Sequence, residues 1–130
     1  MRFTIDRIDH LVITAGDLET SASWYQRVLG MERETFGADR RTALRFGSQK
    51  LNLHQAGAEF HPNAATAHPG TIDICFIVGI AAPDIVSHLK SCGVAIEEGP
   101  VGKTGALGPM TSVYCRDPDG NLIEIASYLD

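Results

Sequence analysis

The sequence predicts an α+β fold made of two βαβββ modules. Three observations carry this reading. A strand-like run followed by a helical segment and three further strand-like runs occurs twice in 130 residues. The two occurrences keep one offset, since His10 and Asp73 are 63 positions apart, as are Gly30 and Gly93. A segment without hydrophobic period, residues 57–70, separates them and contains Gly57, Pro62, Pro69 and Gly70. Identity between the halves is weak, so the repeat is one of structure, with two amphipathic units packing as one domain over 1–130.

In the first module, about 5–56, residues 7–15 read as a strand, and Asp17 is placed to cap a helix that Gly30 ends. Glu19 suits the positive end of the helix dipole, and Leu18, Ala22, Tyr25 and Leu29 recur at helical spacing. Trp24 and Tyr25 read as core or subunit-contact residues. Strands are expected near 31–36, 41–46 and 49–55. In the second module, about 71–128, a strand at 71–78 leads to a helix near 83–92, with Pro83 in its first turn and Gly93 at its end. Strands near 94–98, 111–116 and 121–127 follow. The Gly/Pro-rich stretch 99–109 reads as a mobile loop bordering a pocket, because it lacks the spacing and context of a phosphate-binding loop.

Composition narrows the function. A formal charge of −5 argues against nucleic acid, which wants clustered Lys and Arg. No apolar run approaches the about 20 residues that span a bilayer, and the N-terminus lacks the features of a signal peptide. Cys75, Cys92 and Cys115 are odd in number and form no CxxC pair, so they read as small apolar residues in a reducing compartment, the cytosol by default.

Polar residues inside apolar strands supply the chemical signal. Glu124 lies between Ile123 and Ile125, which point to the other face. His10, Asn52, His54 and Asp73 interrupt other strands in the same way. An unpaired buried charge is costly, so these groups suggest one shared polar site. Imidazole and carboxylate suit Zn, Ni, Mn or Fe(II), and two histidines with one carboxylate is also the facial set of non-haem iron. His10, His54 and Glu124 are therefore the candidate metal ligands for one divalent ion per chain. Each has a structural alternative: a satisfied strand histidine at His10, an outward polar edge for Lys50, Asn52 and His54, and a strand-start hydrogen bond for Asp73. Arg45 either pairs with Glu124 or Asp73 or binds an anionic substrate group. Lys103, Met110 and Tyr114 join Arg45 and Asn52 as candidate substrate contacts. His61, His68 and His88 read as solvated.

Asp9-His10-Leu11-Val12-Ile13, Trp24-Tyr25 with Val28-Leu29-Gly30-Met31, and Asp117-Pro118-Asp119-Gly120-Asn121-Leu122-Ile123-Glu124 together resemble the vicinal oxygen chelate superfamily. This group includes glyoxalases, extradiol dioxygenases, methylmalonyl-CoA epimerases and the fosfomycin and bleomycin resistance proteins. The resemblance spans the chain and is nearest to a glyoxalase-like branch. It implies a cupped mixed sheet around a divalent metal, with two modules pairing in a homodimer. It places His10 and Glu124 on the family's first-strand histidine and last-strand glutamate, Asn52 on its fourth-strand ligand and Asp73 on its second-module histidine. It implies a lyase or isomerase acting on a small substrate with vicinal oxygens, with Glu124 or Asp73 as proton-transfer base. The alternatives are an Fe(II) dioxygenase and a binding protein of the bleomycin-resistance kind.

Overall fold

The structure is a computed structural model that describes residues 1–129. Its elements are β1 (His10–Ala15), α1 (Leu18–Leu29), β2 (Glu32–Phe36), β3 (Arg41–Phe46), β4 (Gln49–Gln55), β5 (Asp73–Ile77), α2 (Ala82–Ser91), β6 (Glu98–Gly105), β7 (Gly108–Arg116) and β8 (Leu122–Ser127). The chain divides into two compact units, residues 1–67 and residues 68 onward. Each unit is βαβββ, and the fold class is the α+β arrangement of paired modules that the sequence predicts.

Unit one orders its strands β1-β4-β3-β2, and unit two repeats the order as β5-β8-β7-β6. The first strand runs parallel to the last in each sheet, and the other pairings are antiparallel. The connection from the first strand must therefore cross the sheet, and the helix makes that crossing. In α1 the Asp17 carboxylate accepts from the Thr20 N–H, and Gly30, at φ 66°, closes the helix in the left-handed conformation that glycine adopts without cost. Ser21, Ala22, Trp24, Tyr25 and Val28 form the buried side of α1. They lie against β2, β3 and β4, where Leu44, Leu51 and Leu53 are inaccessible. Trp24 and Tyr25 meet edge to face at 5.0 Å and are core residues. In unit two, Ala82, Ile85 and Leu89 of α2 occupy the same role over Val113, Cys115, Ile123 and Ile125.

Three expectations need correction. The strand expected at 94–98 does not form; pairing begins at Glu98, and residues 99–109, expected as a loop, are most of the β6–β7 hairpin. Backbone pairing overrides the weak strand propensity of this Gly-rich stretch. Close packing requires glycine at one position: at Gly99, with φ 105°, a Cβ would stand 2.4 Å from the Ser112 carbonyl oxygen. The first strand starts at His10 rather than residue 7. Cys75 is exposed on a sheet face, whereas Cys115 is the core cysteine the composition predicts.

The Asp117–Asn121 turn is a buried polar knot. Asp117 Oδ1 accepts from the Asp119 and Asn121 N–H groups, and Asp117 Oδ2 accepts from Asn121 Nδ2 at 2.7 Å. Asn121 Oδ1 in turn accepts the Ile72 N–H at 2.9 Å, tying the turn to the entry of β5. Asn121 is fully buried, so removing its amide strands partners with no water to replace it. Asn121→Ala should destabilise the protein by about 2–4 kcal/mol in urea unfolding. A loss below about 1 kcal/mol would show that the knot is dispensable.

Candidate active site

Because each helix covers one face of its sheet, the polar strand residues collect on the other. In unit one the register sets His10 opposite Lys50, Val12 opposite Asn52, and Thr14 opposite His54. On the other flank Ala43 is opposite Asn52, and Arg45 is opposite Lys50. One face thus carries His10, Lys50, Asn52, His54, Arg41, Ala43 and Arg45.

His10 is exposed, and its Nδ1 lies 2.8 Å from the Asp9 carboxylate. That hydrogen bond is the main reason the Asp9 carboxyl sits below its ordinary range. An Nδ1–H donated to a carboxylate leaves Nε2 with its lone pair outward, the arrangement common behind metal-bound imidazoles. Asn52 and His54 are 7% and 3% exposed, and Asn52 Oδ1 and His54 Nδ1 have no hydrogen-bond partner among the described residues. Two orphaned polar atoms on one buried strand face are expensive unless something else satisfies them. Their positions differ relative to His10. At 3.3 Å per residue, Asn52 is about 7 Å along the sheet from the level of His10, and His54 about 13 Å.

Arg45 forms a two-pronged pair with Glu34 at 3.0 and 3.2 Å, so its partner is neither Glu124 nor Asp73. The cross-strand neighbourhood of β2 and β3 supplies this nearer acid, which spacing along the chain did not reveal. Lys50 lies 3.9 Å from the same Glu34 and 3.5 Å from the centre of the Phe36 ring. The Arg41 guanidinium is 4.3 Å from the Phe60 ring, and Phe60 meets His54 edge to face at 5.5 Å. Neither Arg41 nor Phe60 was singled out from the sequence. Alternation with Arg45 marks Arg41, but nothing marks a phenylalanine in an aperiodic linker.

In unit two, Cys75 and Tyr114 flank Glu124 from the neighbouring strands. Glu124 is half-buried and accepts a 2.6 Å hydrogen bond from the fully buried Ser112 hydroxyl. Desolvation, followed by the Glu124 charge and a hydrogen bond to it, pushes the Tyr114 hydroxyl up to about 12. Desolvation, with Glu124 and Asp73 behind it, pushes the Cys75 thiol up to about 11. Both therefore stay protonated donors near neutrality. Lys103 is opposite Met110, with its ammonium 5.7 Å from the Tyr114 ring centre. Glu124, Tyr114, Lys103 and Met110 thus belong to one sheet, and the exposed Asp73 is two residues from Cys75 on the same side. His61, His68 and His88 are exposed.

Among the described residues, no three His, Cys, Asp or Glu side chains are gathered so as to hold a metal ion. The donor types suit a divalent cation in each unit taken by itself: unit one has an imidazole backed by Asp9 and an orphaned buried amide oxygen, and unit two a hydroxyl-supported carboxylate.

Burial first, and then the Arg41 charge, lower the affinity of His54 for protons; Glu59 opposes them weakly. The folded chain holds this ring neutral where the unfolded chain, with its ordinary value of 6.5, protonates it. Unfolding then takes up a proton, so this contribution is complete above about pH 6.5 and is lost as pH falls below it. Urea unfolding from pH 7.5 to 5.5 should show a smaller acid-side loss of stability in His54→Gln than in the wild type. Equal losses in the two proteins would refute a neutral buried ring.

Comparison with known proteins places this architecture. Residues 7–125 match the model of the Glyoxalase/Bleomycin resistance protein/Dioxygenase superfamily. The virulence protein STM3117 of Salmonella typhimurium is 50% identical over 129 residues, covering 99% of this chain and 89% of that protein. Its crystal structure superposes with a TM-score of 0.94, covering 98% of this chain and all of the other. A glyoxalase domain-containing protein of Mycosarcoma maydis, RDO1, is 48% identical, covering 99% of this chain and 72% of its own length. An integron cassette protein from V. cholerae has a TM-score of 0.95 at 49% identity, covering 98% and 99% of the two chains. On fold, family model and sequence alike, the chain belongs to the Glyoxalase/Bleomycin resistance protein/Dioxygenase superfamily.

Proposed function

We propose that the protein is a cytosolic, metal-dependent, glyoxalase-like lyase or isomerase that acts on a small substrate with vicinal oxygens. The observation that carries this reading is the donor set: His10 backed by Asp9, the orphaned Asn52 oxygen, and Glu124 fixed by Ser112. His10 and Glu124 would hold one divalent ion per chain, of the Ni, Zn, Mn or Fe(II) class. The fourth-strand donor is Asn52 or His54, and the register favours Asn52 because it lies nearer the level of His10. A divalent ion supplies Lewis acidity toward two neighbouring substrate oxygens.

The chain's own residues do the rest. Glu124 holds or moves the substrate proton at a carboxylate oxygen, and Ser112, Tyr114 and Cys75 orient it by hydrogen bonding. Asp73 is the alternative base, exposed at the start of β5. Asn52 and Arg45 in unit one, and Lys103, Met110 and Tyr114 in unit two, are the candidate substrate contacts.

The working form is a homodimer. Among the described residues β1 pairs only with β4, and β5 only with β8, so each is an edge strand with one unpaired side. Ile8, Leu11 and Val12 near the first edge and Ile77 and Ile80 near the second are exposed apolar residues. Free edges of this kind invite pairing with another chain. Light scattering should give a dimer at micromolar concentration, and a 14.0 kDa particle would refute it.

Elemental analysis of the purified protein should find about one divalent ion per chain. Adding Ni, Zn, Mn or Fe(II) to stripped protein should stabilise it, by about 2.7 kcal/mol at a hundredfold excess over the dissociation constant. Glu124→Ala and His10→Ala should abolish that stabilisation while leaving the fold intact. If none of the ions stabilises the wild type, the ligand-binding, non-catalytic reading replaces this one. Asp73→Asn that keeps metal but loses turnover would assign the base to Asp73. Oxygen uptake with catechols would instead mark an Fe(II) dioxygenase.

A further inference from the structure

From Arg41, His54 and Phe60 we infer an anion-binding subsite in unit one, which makes the substrate an anionic molecule carrying a carboxylate or phosphoryl group. The inference deepens the proposed function and rests on it only for where the vicinal oxygens go.

Three cations share this face, but their states differ. Arg45 is neutralised by its two-pronged contact with Glu34, and Lys50 shares that acid while lying over Phe36. Arg41 has no acidic partner among the described residues, and its only contact of note is the Phe60 ring. Stacking on a ring holds a guanidinium in place while leaving its N–H groups free to donate. Continuing the β3–β4 register by one residue from Thr42 and Leu53 sets Arg41 opposite His54. His54 is almost wholly buried and has an unpartnered Nδ1. Next along the strand, Ala43 faces Asn52 and leaves that side of the face short of side-chain bulk.

A carboxylate or phosphate beside Arg41 would receive charge-assisted hydrogen bonds from the guanidinium. It would also accept from a His54 Nδ1–H, satisfying the atom the fold leaves orphaned. Glu59 is the nearest rival for the position. Its carboxylate is engaged by the Gly57 N–H at 2.8 Å, and it makes no ion pair with Arg41. The level of His54, about 13 Å along the sheet from His10, sets this subsite apart from that histidine by roughly the length of a small metabolite.

The test uses metal-free wild-type protein at low ionic strength, so failure of the metal reading cannot masquerade as failure of this one. Succinate and inorganic phosphate are titrated by calorimetry, with dimethyl succinate as the uncharged control. Either anion should bind saturably, the two arms telling a carboxylate-bearing from a phosphoryl-bearing substrate. Arg41→Gln should weaken binding at least about tenfold, whereas Arg41→Lys should retain most of it. Arg33→Gln, a cation of the same unit held by Glu19 at 2.6 and 2.7 Å, should change it less than about threefold. His54→Gln should weaken binding to an intermediate degree. Thermal unfolding of each variant confirms that it is folded. Absence of anion binding, equal binding of the diester, or an Arg41→Gln affinity equal to wild type would each overturn the subsite.

Discussion

A single helix can cover only one face of its four-stranded sheet, and that one-sidedness governs the molecule. Tyr25 and Val28 on α1, and Ile85 and Leu89 on α2, claim the apolar side of their sheets. Strand geometry then sends every alternate residue to the other side. His10, Asn52, His54, Arg41 and Arg45 in one unit, and Glu124, Tyr114 and Ser112 in the other, follow from that division. The polar face is what remains when packing has been satisfied, and it is where chemistry can be placed without costing core.

The architecture was legible because its signals are local or periodic. Asp17 and Gly30 bracket α1 as their chemistry demands, and the 63-residue offset relates the starts of β1 and β5 and the positive-φ glycines Gly30 and Gly93 that follow the two helices. The β6–β7 hairpin was not legible, since glycine, proline and lysine there say loop while pairing across the sheet says strand. The side-chain partners were the least legible part. Arg45 finds Glu34, and Arg41 finds Phe60, through pairings that only a register reveals. Candidate residues can be read from alternation, but their company cannot.

The Asp-Pro-Asp-Gly-Asn run illustrates how one motif divides its labour. Asp117 and Asn121 are buried and consumed by the turn, with Asn121 also reaching the backbone of Ile72. A Cβ at Gly70 would stand 2.7 Å from the Asp119 carbonyl oxygen, so the linker is clamped against the same turn. Glu124, three residues on, is presented by that scaffold toward Ser112, Cys75 and Tyr114. The turn sets the start of β8, and thereby which of its residues points where. An apparently chemical signature is thus mostly a structural one that fixes the aim of a single carboxylate.

The two separate sheets also bear on how the chain can be cut and recombined. Among the described residues every strand pairs within its own half, and no ladder runs across the segment between Gln55 and Asp73. A nick in that segment severs no strand pairing and no helix–sheet contact. Halves supplied as separate polypeptides therefore each retain a full set of internal backbone partners. Gene fusion, splitting or reshuffling of such halves is topologically inexpensive, which makes the linker the natural seam of the molecule.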